Sequence, residues 1–369
     1  MLLVTRKNLL SERARLAISV GGVALAVLLI AFPLSLYRGW NEKVGLFVEK
    51  ADIDIWIGRE GTTDFFAAGS ILPMEGAEKL FTLPGLERWS PLIVRPMTAT
   101  KDGTTMDVHL VGYVPESGMG GPVRIEEGKA QPGPGEVIVD EALCRRYGVD
   151  IGDSIGVGGR DWKVAGTSSE GDFVFSQTIF VTLDQAQDLL EMDSLATFFL
   201  LKLKDPSQRE QAALTIEGAQ SGIVAITGDD FTAATRERTL GDVIPILMVM
   251  LVLAFIVGLA VSALTIYTAT VEKAREYGIL KAVGFTNGYL YRVVFEQSLI
   301  TGLLGFLIGA GLTVVVAPLT QHLVPQFVVL VRWQDVLGVA GFTLLMALLA
   351  AYVPTRRLAT IDPVEVFKA

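Results

Sequence analysis

Four stretches of this sequence are too long and too apolar for an ordinary soluble domain. A helix needs about 18 or more apolar residues to cross the roughly 30 Å hydrocarbon core of a bilayer. Four segments reach that length, at residues 16–37, 243–270, 289–317 and 335–353. We therefore predict an α-helical membrane protein with one transmembrane helix before, and three after, a large domain formed by residues 38–242.

Charge is divided unevenly between the inserted domain and the rest of the chain. Residues 38–242 hold 33 acidic and 19 basic side chains, a net charge of −14, whereas the remainder carries +5. Several basic residues outside the insert stand beside helix ends: Arg13, Arg15, Lys273, Arg275, Lys281 and Arg356. Because Lys and Arg mark the cytoplasmic face, we expect both termini inside, and residues 38–242 and the loop 318–334 outside. So acidic an insert argues against a nucleic acid as partner.

The N-terminal residues 1–15 combine leucines with arginines and a lysine, which predicts an amphipathic helix in the inner membrane interface. A plain charged anchor is the alternative. The apolar run that follows is longer than that of a signal peptide and lacks a small-residue cleavage site, so we expect it to be retained as the first span. The chain holds one cysteine, Cys144, and two histidines, His109 and His322. Neither an internal disulfide nor an ordinary zinc site is therefore expected.

The insert has the pattern of an extracytoplasmic α/β domain in two halves, near residues 50–115 and 195–230. Alternating strand patterns and helical spacings occur in both, and Asp102-Gly103 between two strand-like runs predicts a hairpin. Residues 73–83 have helical spacing. The segment between the halves, residues 130–183, is predicted to be a β-rich subdomain inserted into the α/β domain.

Few residues in this chain suggest catalysis. The sequence has no Gly-x-x-x-x-Gly-Lys-Ser/Thr loop for nucleotide phosphates, and its histidines and cysteine are too few for a nucleophilic triad. We therefore expect a non-catalytic chain. Glu296, in the third predicted span, is the candidate functional charge within the membrane. An i, i+4 ion pair with Arg292 is the simpler interpretation, and a proton or ion pathway is the alternative.

The segment 271–288 between the second and third spans has helical rather than turn composition. Its charged residues are Glu272, Lys273, Arg275, Glu276 and Lys281, and its apolar ones include Val271, Ala274, Ile279 and Leu280. Gly278 and Gly284 interrupt this pattern. We predict a short amphipathic helix that presents a rigid surface to a partner, with a simple tether as the alternative.

Three sequence segments together resemble FtsX/MacB-type ABC transporter permeases. Residues 272–285, Glu-Lys-Ala-Arg-Glu-Tyr-Gly-Ile-Leu-Lys-Ala-Val-Gly-Phe, are similar to the segment between that family's second and third spans. The ending 354–367, with its Ile-Asp-Pro-Val-Glu, is similar to the family's C-terminal motif, and residues 135–153 resemble a recurrent part of its outer domain. The arrangement of one span, a large insert and three spans is also the family's own.

The resemblance implies a homodimer in a bacterial cytoplasmic membrane, paired with two copies of a separate ATPase that carries ATP and magnesium. It implies a type VII mechanotransmission permease that extrudes a hydrophobic or amphipathic substrate. The first span would pack against the second span of the other protomer. Carried over by position, the residues at the ATPase groove would be Glu272, Arg275, Glu276, Gly278, Lys281 and Gly284.

Within the family, residues 54–58 and 61–73 look most like the DevC/HrtB subgroup, whose members export glycolipids or haem. Haem would then be a substrate rather than a bound cofactor, while peptides, drugs and lipoproteins remain alternatives. A membrane-fusion adaptor is a further partner the layout allows. The competing function is an FtsX-like membrane scaffold that activates an extracytoplasmic hydrolase; a membrane sensor fits less well because the chain has no signalling segment.

Overall fold

The computed structural model describes most of the chain. Its described residues are 13–359, apart from 67–68, 76, 78–83, 172, 175 and 325–326. Three predicted features therefore lie wholly or mostly outside them: the interfacial helix before residue 13, the helix predicted at 73–83, and the family-like ending beyond residue 359. The chain forms two compact units, a membrane unit of Met1–Gly39 with Val243–Ala369 and an α/β domain of Trp40–Asp242.

Nine α-helices and twelve strands occur in the described residues. The helices are α1 Arg13–Lys50, α2 Glu141–Tyr147, α3 Leu183–Leu190, α4 Arg209–Ala219, α5 Gly228–Leu240, α6 Val243–Glu272, α7 Ala274–Ala282, α8 Asn287–Leu323 and α9 Trp333–Ala359. The strands are β1 Ile55–Arg59, β2 Leu72–Pro73, β3 Leu86–Lys101, β4 Thr104–Tyr113, β5 Arg124–Gly128, β6 Glu136–Asp140, β7 Ser154–Val157, β8 Arg160–Ser169, β9 Gln177–Thr182, β10 Leu195–Ala196, β11 Phe198–Leu203 and β12 Ile223–Thr227.

Four helices, α1, α6, α8 and α9, are long and apolar enough to cross a membrane. They extend beyond the predicted spans because polar residues continue the same helices past the apolar runs. Glycines bring their axes close: a Cβ at Gly22 would lie 2.4 Å from Val261, and one at Gly305 would lie 2.5 Å from Val23. Small residues therefore allow α6 and α8 to pack closely against α1 of the same chain.

The α/β domain is built on one mixed sheet of ten strands. The strand order is β12-β1-β11-β3-β4-β9-β6-β8-β5, with β7 paired to β3 and β8, and β2 and β10 form a separate two-stranded sheet. The predicted β-rich segment at 130–183 contains β6 to β9, but these strands do not form a sheet of their own. They continue the main sheet through the parallel pairing of β4 with β9. The α/β domain is thus more continuous than the sequence suggested.

Local sequence explains several of the connections. Asp102 and Gly103 both have positive φ, 50° and 81°, between the paired residues Lys101 and Thr104. A two-residue turn with two positive φ angles matches the twist of antiparallel strands, so the predicted hairpin is confirmed. Helix α2 begins where the Asp140 carboxylate accepts the Ala142 N–H at 2.8 Å, which satisfies a donor that the helix itself cannot.

An aromatic cluster forms one core of the α/β domain. Trp56 stacks on Phe231 with ring centroids 4.5 Å apart, and Phe65 stacks on Phe173 at 4.8 Å. Phe47, from the last turns of α1, is fully buried in the same cluster. The C-terminal end of α1 is therefore part of the hydrophobic core of the α/β domain rather than a flexible linker.

Candidate functional site

Helix α7 follows α6 with almost no interruption. Lys273 alone separates them, and the hydrogen bonds from Lys273 N–H to Ala269 O (3.2 Å) and from Tyr277 N–H to Lys273 O (3.0 Å) continue the helical pattern across it. The predicted connector is therefore helical. Lys273 itself has φ −90° and ψ 12°, so a single residue of non-helical backbone joins the two helices.

Tyr277 anchors α7 to the membrane unit. Its side chain is 5% exposed and packs with Ile266 of α6, Leu290 and Val294 of α8, and two alanines of α9. Gly278 beside it is also buried. Sequence analysis did not single out Tyr277, although it lies three residues from both Ala274 and Leu280, the spacing of one helix face.

The opposite side of α7 is open to a partner. Arg275 and Glu276 are exposed, and so are the apolar side chains of Ile279 (44%) and Val283 (74%). Lys281 is half-buried. A small surface with two charges and two apolar side chains can offer both ion pairs and hydrophobic contact to a groove.

Gly284 ends α7 in a defined way. Its φ is 102°, its N–H donates to Lys281 O at 3.0 Å, and the next N–H, of Phe285, donates to Leu280 O at 3.0 Å. These two bonds form a Schellman motif, in which glycine accommodates the left-handed turn. The chain then turns into α8, where Phe285 contacts the ring of Tyr289 at 4.7 Å.

Two long-range ion pairs mark opposite ends of the membrane unit. Arg15, at the start of α1, pairs with Glu272 at the end of α6, next to α7. Arg38, 23 positions along α1, pairs with Asp335 at the start of α9 at 3.1 Å. The N-terminal end of α1 and the connector therefore lie at one end of the unit, and the start of α9 lies at the other. Glu272, predicted to face a partner, pairs within its own chain and keeps 60% of its side chain exposed.

Glu296 lies in the third turn of α8. Its carboxylate accepts a hydrogen bond from Arg292 Nε at 3.2 Å, the i, i+4 pair that the spacing indicates. Its side chain is 23% exposed. Among the described residues, no group of three or more histidine, cysteine or acidic side chains is arranged to hold a metal ion.

Two family models match the chain and together cover most of it. Residues 16–219 match the MacB-like periplasmic core domain, and residues 248–363 match the FtsX-like permease C-terminal domain. The second match includes α7 and all but the first turn of α6, whereas the first contains most of the α/β domain.

Relatives of the whole chain are named as permeases. An uncharacterized ABC transporter permease of Mycobacterium tuberculosis (strain ATCC 25618 / H37Rv) is 22% identical over 100% of this chain and 99% of its own length. The macrolide export ATP-binding/permease protein MacB 2 of Aeromonas hydrophila is 23% identical over 97% of this chain and 58% of its own length. A putative hemin transport system permease protein, HrtB, of Staphylococcus epidermidis is 24% identical over 62% of each chain.

These matches agree with four apolar helices, a large α/β domain after the first of them, and a helical connector between the second and third. Permeases of ABC transporters work with an ATPase, so such a partner is implied here too. The chain belongs to the FtsX/MacB-type family of ABC transporter permeases and is a membrane protein.

Proposed function

We propose that this chain is the non-catalytic permease subunit of an ABC exporter, and that α7 receives the motion of a separate ATPase. The observation that carries the proposal is the two-sided character of α7. One side is fixed to the membrane unit by buried Tyr277, and the other presents Arg275, Glu276 and Val283 to a partner. A helix that is fixed to the membrane unit on one side and exposed on the other can transmit the displacement of a bound partner to that unit.

The six predicted coupling residues divide into two roles in this proposal. Arg275 and Glu276 contact the ATPase directly because they are exposed. Glu272, Gly278, Lys281 and Gly284 set the position of α7, through the Arg15 ion pair, close packing and the helix end. ATP and magnesium are bound by the two ATPase copies.

The motion continues along two helices. Helix α6 runs on from α7 with one residue between, and α1 runs without a break from the Arg15 end of the membrane unit into the aromatic core of the α/β domain. In this mechanotransmission scheme the α/β domain moves on the far side of the membrane, and the substrate need not cross a central pore. The connector and both termini face the cytoplasm of a bacterial cell.

A homodimer is part of the proposal. Helix α6 is the least buried of the four long helices: 11% of its most apolar stretch is buried, against 28% or more for the others. Its exposed apolar side chains, such as Met248, Val249 and Leu253, suit contact with a second protomer or with lipid. Within the chain, α6 packs on α1 at Gly258 and Ala26, so the dimer contact uses another face of α6.

The substrate class is hydrophobic or amphipathic. Relatives named for macrolide export and hemin transport support small apolar cargo, with haem as substrate and not as cofactor. Lipids, glycolipids and peptides belong to the same class, and a membrane-fusion adaptor is required only if the host has two membranes.

The test exchanges the charges of Arg275 and Glu276 in the full chain. We expect Arg275→Glu/Glu276→Lys to lower co-purification of the ATPase by about tenfold, since two reversed contacts at an interface remove about 1.4 kcal/mol or more. Glu141→Lys/Arg145→Glu is the matched control, because it reverses an exposed ion pair on α2 without altering net charge. Normal co-purification with the first variant would reject α7 as the docking site.

The same preparation separates an exporter from a scaffold. Reconstituted with its ATPase, an exporter should hydrolyse ATP faster when its apolar substrate is added. An FtsX-like scaffold would bind the ATPase at α7 equally well but would not respond to any apolar compound in a screened set.

A further inference from the structure

Residues 327–332, which lead into α9, form a strap without regular secondary structure. Five of its six side chains are apolar. The strap lies at the end of the membrane unit opposite α7, because α9 begins directly after it. Backbone groups outside helices need hydrogen-bond partners in or beside a bilayer, where water is scarce. The strap therefore needs a neighbouring element that supplies them.

Helix α1 is that neighbour. Leu330 N–H donates to Ser35 O at 2.9 Å, and Ser35 is only 3% exposed. A carbonyl oxygen has two lone pairs, so Ser35 O can accept this bond as well as a helical bond within α1. The strap is thus bound to α1 through the main chain.

Gly39 allows the strap to lie this close to α1. It is one turn beyond Ser35 on the same helix face, and it is buried. A Cβ at Gly39 would overlap the Val328 carbonyl oxygen and lie 2.6 Å from the Val328 carbonyl carbon. Because both are backbone atoms, no change of rotamer relieves the overlap. A larger residue at position 39 must therefore move the strap or the helix.

An ion pair fixes the start of α9 to the same turn of α1. The Asp335 carboxylate accepts hydrogen bonds from Arg38 Nε and Nη2, each at 3.1 Å, and is 11% exposed. This pair, the Leu330 hydrogen bond and the Gly39 contact all fall within residues 35–39 of α1. Three contacts of different kinds in so short a stretch resist sliding of α1 past α9.

The strap meets α1 where that helix leaves the membrane unit. Gly39 is the last residue of the unit's first segment, and Trp40 is the first residue of the α/β domain. Pro33, two residues before Ser35, cannot donate the helical hydrogen bond to Leu29 O, so α1 bends most easily beside the strap. A helix held at one short stretch and easily bent next to it changes its angle there.

We propose that the strap is the pivot of α1, and that Gly39 is the positioning residue that keeps the strap in place. The inference rests on the proposed function, in which α1 and α6 carry motion from α7 to the α/β domain. Held at residues 35–39, α1 passes on a displacement of its Arg15 end as a change of angle at its Lys50 end. Without the strap, α1 would slide along its axis and the displacement would not reach the α/β domain.

Gly39→Ala separates the strap from α1. The matched control is Gly338→Ala on α9, an exposed helical glycine whose Cβ would meet no atom within 4 Å. Both changes favour their helix to a similar degree. In hydrogen exchange of the full chain with its ATPase, we expect the strap amides to exchange about tenfold faster in Gly39→Ala, because Leu330 N–H loses its acceptor. Exchange as slow in Gly39→Ala as in the control would reject Gly39 as the residue that holds the strap.

The functional readout is ATP-driven motion of the α/β domain. Spin labels on a ketone-bearing amino acid at the exposed positions 161 of β8 and 334 of α9 report the distance between them. In the complex with the ATPase, we expect trapping with ATP and vanadate to shift this distance in wild type and in Gly338→Ala. In Gly39→Ala the shift should be lost, while ATPase co-purification and ATP hydrolysis stay at the control level. A shift as large in Gly39→Ala as in Gly338→Ala would overturn the proposal.

A cross-link tests the pivot without breaking it. In a Cys144→Ala chain, Arg38→Cys and Asp335→Cys are joined by a short, cleavable bifunctional thiol reagent, and the spin labels stay at 161 and 334. Because a pivot keeps its contact throughout the cycle, we expect the ATP-driven shift to survive cross-linking. Loss of the shift, with recovery when the reagent is cleaved, would show that α9 must separate from α1 and would contradict the proposal.

Failure of the pivot and failure of the proposed function give different results. Wild type that does not co-purify with the ATPase, or shows no ATP-driven shift, would reject the transmission of motion and the pivot with it. A normal shift in wild type that persists in Gly39→Ala would reject the pivot alone.

Discussion

At the scale of single residues, His109 shows how strongly the α/β domain controls ionisation. Its Nδ1 lies 2.7 Å from the Ser176 hydroxyl, and its ring contacts Phe66 and Phe173 at centroid distances of 5.0 and 6.0 Å. Burial among these rings lowers the pKa of His109 from 6.5 to about 4. The neutral imidazole is therefore the form that the folded domain favours.

This lowered pKa gives the α/β domain a specific acid sensitivity. In the unfolded chain His109 takes up its proton near pH 6.5, so His109 makes folding less favourable as the pH falls from 6.5 towards 4. A difference of about 2.5 pKa units corresponds to roughly 3 kcal/mol. We expect urea unfolding of the full chain, followed by tryptophan fluorescence, to show this loss of stability over that pH range.

His109→Gln is the variant that isolates this effect. It should unfold more easily at pH 7, because the aromatic contacts are lost, but its stability should fall less between pH 6.5 and 4.5 than that of wild type. Parallel losses in the two proteins over that interval would show that other groups carry the acid response.

Residue contacts differ in how far the sequence reveals them. The Arg292–Glu296 pair could be predicted because four residues separate its members on one helix. Arg38 and Asp335 are 297 positions apart, and their pairing depends on how the helices pack. Tyr277 has the spacing of one helix face with Ala274 and Leu280. An aromatic residue in a charged segment can, however, equally be an exposed contact for a partner or a buried anchor.

At the scale of elements, the docking of α7 can be tested through Tyr277. Loss of a buried aromatic side chain typically destabilises by about 3 kcal/mol or more. We expect Tyr277→Ala to increase hydrogen exchange of the amides in α7 and to reduce ATP-driven transport, while exchange in the α/β domain stays unchanged. Tyr277→Phe keeps the ring and should retain both protection and most of the transport. An α7 as protected in Tyr277→Ala as in wild type would mean that docking rests on other contacts.

Strand pairing shows where prediction from this sequence stops. The Asp102-Gly103 turn is local, and its two residues determine the hairpin. The parallel pairing of β4 with β9 joins Val108 to Gln177, almost 70 residues later. Alternation of polar and apolar residues shows which face of a strand is buried, but not which strand lies beside it. The 130–183 segment could therefore be identified as β-rich, but its place in the main sheet could not be predicted.

At the scale of the whole molecule, the proposed mechanism depends on which side of the membrane each part faces. The Arg15–Glu272 and Arg38–Asp335 pairs establish two ends of the membrane unit. Excess basic residues near the first of these ends support a cytoplasmic connector. In the proposed orientation each of the four long helices crosses once, and the α/β domain and the start of α9 lie outside.

This sidedness can be measured with single cysteines in a Cys144→Ala chain. Cys144 is half-buried and its pKa is raised to about 11, so its removal eliminates a slow background reaction. Exposed positions are available on α7 (Glu276→Cys), at the start of α9 (Gln334→Cys) and on β8 of the α/β domain (Asp161→Cys). We expect an impermeant maleimide added to intact cells to label positions 334 and 161 at once.

Position 276 should be labelled only after the membrane is opened, because the proposed orientation puts it in the compartment that contains ATP. A chain with the same helices but no ATPase partner could have either orientation in the membrane. Docking of an ATPase at α7 requires α7 to face the compartment that contains ATP. Labelling of positions 276 and 161 from the same side in intact cells would place the proposed docking surface and the α/β domain together. The proposed transmission of motion from α7 through α6 and α1 to the other side of the membrane would then be ruled out.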